Sequence, residues 1–205
     1  MRAFAKPALF FACTLPLAWL LARTFGVAGL GLGANPIDEL QDRLGDWSLR
    51  LLLATLCVTP LAVVLRKPWL VGLRRMLGLF TFTYLCLHFL TWLVLDQWFD
   101  VRAIAADIAK RPYITLGFTG FVLLVPLAIT STAGWMRRLG RRWHTLHRLV
   151  YPAAILGCTH FWWQVKADWR EPAVYAALLA VLLGWRLARA RRRAAAAALA
   201  ATARP

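Results

Sequence analysis

The sequence predicts an all-α integral membrane protein, a bundle of six transmembrane helices with both termini cytoplasmic. Three observations carry that prediction. Hydrophobic residues make up 60% of the chain and mean hydropathy is +0.58, well above a soluble domain. The apolar residues gather in six stretches, about 7–30, 48–65, 76–96, 112–133, 149–166 and 172–188. Each is long enough to cross a hydrocarbon core ~30 Å thick, the second and the last two at the short end.

The third observation is how charge is sorted. Threading the chain with its N-terminus inside puts 17 of the 25 basic residues on the cytoplasmic side: Arg2 and Lys6; Arg66, Lys67, Arg74 and Arg75; Arg137, Arg138, Arg141, Arg142 and Arg148; Arg186, Arg189, Arg191, Arg192, Arg193 and Arg204. All nine acidic residues fall on the other side. The Lys/Arg bias alone sets orientation. The net charge of +16 is therefore a topology signal and a contact for anionic lipid, and no nucleic-acid partner is expected.

The first stretch follows Arg2 and Lys6 as a signal peptide would, but it runs on through GVAGLGLG with no A-x-A site, so it is read as a retained helix. The third opens on Arg74 and Arg75 and ends among Trp92, Asp96 and Trp98. In the outer loop 97–111, Val101, Ile104, Ala105 and Ile108 follow helical spacing, which predicts a short amphipathic surface helix. Pro112 starts the fourth stretch, and Pro126 is expected to kink it. A basic inner loop carries His144 and His147, and Pro152 falls in the first turns of the fifth stretch. Residues 1–193 are expected to form one transmembrane domain, and the alanine-rich tail 194–205 a frayed or disordered end.

Cys13, Cys57, Cys86 and Cys158 all lie inside spans without paired spacing or a C-x-x-C-H motif. They read as small buried hydrophobes, and covalent haem attachment is not indicated. No G-x-G-x-x-G sits between a strand and a helix, so no nucleotide-binding module is expected.

Two histidines stand deep in apolar stretches. His88 lies 13 residues after Arg75 and His160 lies 12 after Arg148. At ~1.5 Å per residue both rings sit roughly 18–20 Å above one edge of the core, at matched depth on different helices. Intramembrane ionisable groups mark functional sites. Two imidazoles so placed suit bis-axial ligation of a haem iron, with Phe82, Tyr84, Phe89, Trp92, Phe161, Trp162 and Trp163 as neighbours able to pack a porphyrin. Neutral histidines hydrogen-bonded between helices are the alternative. His147 lies 13 residues before His160 and faces roughly 140° away on an ideal helix, so the two cannot share one haem. His147 is open to a lower haem, to propionate or flavin phosphate contacts beside Arg148, or to a solvated interfacial role. Zinc would lack ligands, and no acid occupies the middle of a span as a transporter would show.

Five strings in order carry a family resemblance: LRRMLGLFTFTYLCLHFLTWLVLD (73–96), RPYITLGF (111–118), PLAITST (126–132), RRLGRRWHTLHRLVYP (137–152) and HFWWQVKAD (160–168). They resemble the ferric-reductase-like transmembrane proteins, which include the NADPH oxidase membrane domain. Within these they resemble the MsrQ (YedZ) family of haem-binding membrane subunits. The resemblance runs from about GANP (33–36) to the sixth stretch.

It implies a bacterial inner-membrane redox subunit with b-type haem and FMN. Electrons would come from the quinone pool or a cytosolic flavin reductase. They would leave to MsrP, a periplasmic molybdopterin enzyme that reduces methionine sulfoxide in oxidised envelope proteins, so substrate chemistry is expected on the partner. His88 and His160 correspond to the axial ligands of the main haem, and His147 to a third family histidine tied to a second haem. The oxidase relatives carry two histidines in the third span, where this chain has only His88. No residue is assigned to FMN. A b561-like quinone-linked cytochrome with another acceptor and a haem-free scaffold or transporter are the competing readings.

Overall fold

The computed structural model describes residues 2–202, with side chains from 4 to 201; Arg204, counted above among the cytoplasmic charges, lies outside them. The described residues are helical, with no strand among them: α1 (Arg2–Thr24), α2 (Pro36–Val64), α3 (Arg74–Thr91), α4 (Val101–Lys110), α5 (Pro112–Ile129), α6 (Ala133–Leu139), α7 (Arg141–Leu146), α8 (Val150–Gln164) and α9 (Arg170–Thr202). Five helical stretches are long and apolar enough to cross a membrane: Phe4–Thr24, Pro36–Val64, Pro68–Asp96, Pro112–Ile129 and Arg170–Ala201. The remaining predicted span, 149–166, is α8, whose 15 residues reach about 22 Å. A 3-10 turn at His147–Leu149 leads into it.

Where boundaries differ from the apolar stretches, local chemistry explains it. α1 stops at Thr24 instead of reaching residue 30, because Gly26 and Ala28 take left-handed backbone conformations with φ of 65° and 56°. α2 begins at Pro36, twelve residues before its apolar run. Pro36 suits a first helical position, and Asp38 and Glu39 meet the positive end of the helix dipole. The ion pairs Arg43–Glu39 (3.9 Å) and Arg50–Asp46 (3.5 Å), each one turn apart, continue the helix through its polar start. The amphipathic outer helix appears as α4, capped by the Asp100 carboxylate accepting from the backbone N–H of Arg102 and Ala103 at 2.8 and 3.1 Å. Residues 194–202 of the alanine-rich tail continue α9, as a run of the best helix-forming residue favours, and 203–205 lie outside the described residues.

Packing divides into two cores. Leu44, Leu51, Val58, Leu77 and Tyr84 join α2 and α3 to Cys13 and Leu20 of α1. Tyr84 is fully buried and its hydroxyl donates to the Cys13 carbonyl at 2.8 Å. Leu53, Leu56, Leu124, Ala154 and Leu182 join α2, α5, α8 and α9. One contact follows directly from a proline. Pro60 has no N–H to give to the carbonyl one turn earlier, that of Leu56, and Nη2 of Arg186 on α9 donates to that carbonyl instead. α2 packs chiefly along α3, and α5 along α8, so the bundle is built from two antiparallel pairs.

Candidate functional site

His88 lies near the end of α3 and His160 near the end of α8, and the fold brings their rings together with centroids 6.3 Å apart and planes at 74°. Each ring is oriented by a backbone carbonyl. Nδ1 of His88 lies 2.9 Å from the Gln41 carbonyl oxygen on α2, and Nδ1 of His160 lies 2.7 Å from that of Tyr113 on α5. A carbonyl only accepts, so each Nδ1 carries the proton and donates. That leaves Nε2 as the nitrogen with a free lone pair. Such an outer hydrogen bond fixes tautomer and ring direction in metal-binding histidines.

Each ring also lies against a glycine. A Cβ at Gly45 would stand 3.1 Å from Cε1 of His88, and one at Gly117 would stand 2.9 Å from Nδ1 of His160. Only a residue without a side chain leaves either ring its place.

The two half-sites are the same device used twice. In both, the carbonyl partner precedes its histidine by 47 residues. A shift of 72 residues (88 to 160) carries Gln41 to Tyr113, Gly45 to Gly117, Cys86 to Cys158 and Phe89 to Phe161. The pair α2–α3 thus corresponds to α5–α8. The same shift takes Arg75 to His147, so the repeat supplies one matched histidine pair and not two.

The histidines line a cavity of about 1050 Å³ that runs from Leu52 and Leu124 outward to Asp38, Arg111 and Lys166. Phe89 and Phe121 stack at 4.9 Å along it. Of the aromatic neighbours singled out in the sequence, Phe89, Trp92, Phe161 and Trp163 line this space. Tyr84 instead pins α1, Phe82 stacks on Phe121 at 5.9 Å, and Trp162 is exposed. Asp42, Asp46, Asp168 and Glu171 add negative charge at the mouth.

The donor set decides what the site can hold. With ring centres 6.3 Å apart, the two neutral imidazoles leave room for one metal ion between them. Among the described residues no group of three or more His, Cys, Asp or Glu side chains gathers to hold a bare ion. A flat macrocycle supplying the equatorial donors fits both the two-ligand count and the apolar cavity. The residues present therefore fit haem.

His147 does not join them. Its Nδ1 donates to the Trp143 carbonyl at 3.1 Å and its ring stacks on Trp143 at 3.8 Å. Its Nε2 is buried. His144 is exposed. Sequence reading missed Gln41, Tyr113, Gly45 and Gly117. The shared 72-residue offset was the signal that would have found the glycines.

Comparison with known proteins places the chain in a family. Residues 44–158 match the family model described as ferric reductase like transmembrane component. A Rhodospirillum rubrum protein named protein-methionine-sulfoxide reductase heme-binding subunit MsrQ is 52% identical over 187 residues, covering 91% of this chain and 88% of the relative. Relatives of the same name from Caulobacter vibrioides (51% over 187 residues, 91% and 88% covered) and Xanthomonas campestris (50% over 190 residues, 89% and 85% covered) are similar throughout. The matched segment contains Gly45, His88, Tyr113 and Gly117 and stops two residues before His160, and the relatives extend the likeness over nine-tenths of the sequence: this chain belongs to the MsrQ family of ferric-reductase-like transmembrane proteins.

Proposed function

We propose that the chain is a haem b membrane subunit that passes electrons outward to a periplasmic methionine sulfoxide reductase. The observation that carries this is the His88–His160 pair, each ring tied through Nδ1 to a carbonyl and facing the same cavity. The relatives' printed name, a haem-binding subunit of protein-methionine-sulfoxide reductase, supports it. When bound, haem supplies a one-electron couple. Held by both His88 and His160, its iron would keep no position open for oxygen chemistry. The chain's own residues then do three things. His88 and His160 would hold the iron, the Gln41 and Tyr113 carbonyls orient the rings and would raise their basicity toward it, and Phe89 and Phe121 keep that wall apolar.

In this reading six helices span the inner membrane, α8 with its preceding turn being the short one, and both termini are cytoplasmic. The acidic mouth then faces the periplasm, where an MsrP-like molybdopterin partner docks. The donor is the quinone pool or a cytosolic flavin reductase. FMN, implied by the family resemblance, is assigned to no residue. One bis-histidine haem is proposed, because the repeat places Arg75 where a partner for His147 would stand; a haem at His147 would need a different second ligand.

The test is the oxidised and dithionite-reduced absorption spectrum, with haem counted per chain. A low-spin b-type spectrum at one haem per chain is expected, and His88→Ala or His160→Ala removes it. Normal haem content in both variants sinks the assignment, and two haems per wild-type chain transfers the second to His147. Loss of electron delivery to MsrP on deletion separates this reading from a b561-like cytochrome with another acceptor.

A further inference from the structure

At the end of the bundle opposite the mouth of the histidine cavity, α2, α3, α8 and α9 enclose a second hollow of about 250 Å³. Four arginines line it, Arg74, Arg186, Arg189 and Arg193, together with Thr59 and the rings of Tyr151 and Trp185. None of the nine acidic residues is among its lining.

Two of these arginines are held by the protein. Arg186 donates through Nη1 to the Leu182 carbonyl at 2.9 Å and through Nη2 to that of Leu56, with its guanidinium 5.6 Å from the Tyr151 ring centre. Arg189 lies 5.3 Å over the Trp185 ring. Arg74 is different: its Nε is buried without a hydrogen-bond partner, and so is Thr59 Oγ1. A buried donor on a cation is costly to leave unmet, and like charges gathered around a hollow repel. Both penalties are removed by one ligand, an anion with several acceptor oxygens. Guanidinium forks match phosphate geometry in particular.

Size and place narrow the choice. The volume falls below the ~300–1,000 Å³ usual for a drug-sized ligand, so the hollow takes a phosphate group and not a whole nucleotide. In the topology proposed above it lies at the cytoplasmic membrane edge, where tryptophans such as Trp185 gather and basic hollows between spans hold anionic headgroups. We propose that this arginine-lined hollow is a phosphate-binding site, filled by the phosphodiester of an anionic phospholipid or by a soluble phosphate-bearing ligand. The site does not depend on His88 or His160.

The test uses the full chain, delipidated in detergent, titrated with phosphatidylglycerol, phosphatidylcholine or inorganic phosphate while its thermal midpoint is followed. Arg74→Gln/Arg189→Gln is titrated in parallel, leaving the structural contacts of Arg186 intact. Saturable stabilisation by phosphatidylglycerol, absent with phosphatidylcholine and weakened about fivefold per arginine removed, establishes the lipid as source. Equal stabilisation by inorganic phosphate alone, lost in the variant, assigns the site to a soluble ligand. If wild type and variant respond alike to every probe, the proposal is overturned. Should the double variant fail to fold by circular dichroism, Arg189→Gln alone is titrated, with the same fivefold weakening expected and the same null result fatal.

Discussion

The glycines against the two histidines set the tightest constraint at the level of single residues. A methyl group at Gly117 would meet Nδ1 of His160 at 2.9 Å, inside any normal carbon–nitrogen contact, so the ring must move and its bond to the Tyr113 carbonyl must break. Gly45 allows slightly more, its nearest ring atom being 3.1 Å away. Gly117→Ala should therefore lose most of its haem during purification, while Gly45→Ala keeps more of it with an altered spectrum. Haem-to-protein ratio and the low-spin bands measure this, and full normal occupancy of Gly117→Ala would show that the ring is not confined there. The histidines themselves were legible in the sequence because an imidazole among leucines and phenylalanines is conspicuous, and because their heights match. Their partners were not. Gln41 and Tyr113 act through backbone carbonyls, which every residue has, and a glycine's function is the space it leaves.

Helices were legible where hydropathy governed them and misplaced where something else did. α2 starts a dozen residues early because ion pairs and a first-position proline carry it through a polar segment that no apolar window reports. The contact between Pro60 and Arg186 makes a prediction about how α9 is held. Arg186→Gln leaves the Leu56 carbonyl without its donor and should destabilise the protein by about 1–3 kcal/mol. Adding Pro60→Ala restores a helical N–H to that carbonyl, so the double variant should regain part of the loss. Thermal midpoints of Arg186→Gln, Pro60→Ala and the double variant decide it. No recovery in the double variant would mean that the carbonyl is not why Arg186 matters. Tyr84→Phe tests the α1 attachment in the same way, with about 1 kcal/mol expected for the bond to Cys13.

Across the whole molecule, charge is divided between the two ends: the nine acids cluster around the mouth of the large cavity and its connecting segments, and the arginines crowd the other end. If both termini are cytoplasmic, a reporter active only in the cytoplasm should work when fused after residue 202 and fail when inserted at the tip before α4. Activity at both points would overturn six spans. Sequence alone disclosed this polarity, because lysine and arginine counts survive without any knowledge of packing. It did not disclose that the bundle is one motif written twice, since the halves share only a few residues, among them one histidine, one glycine and one cysteine each, at a common interval. In the proposed function that doubling would make a bound haem iron a clasp. Neither half closes on it alone, so a chain that has lost its cofactor should come apart along the seam between the α2–α3 and α5–α8 pairs before either pair unravels.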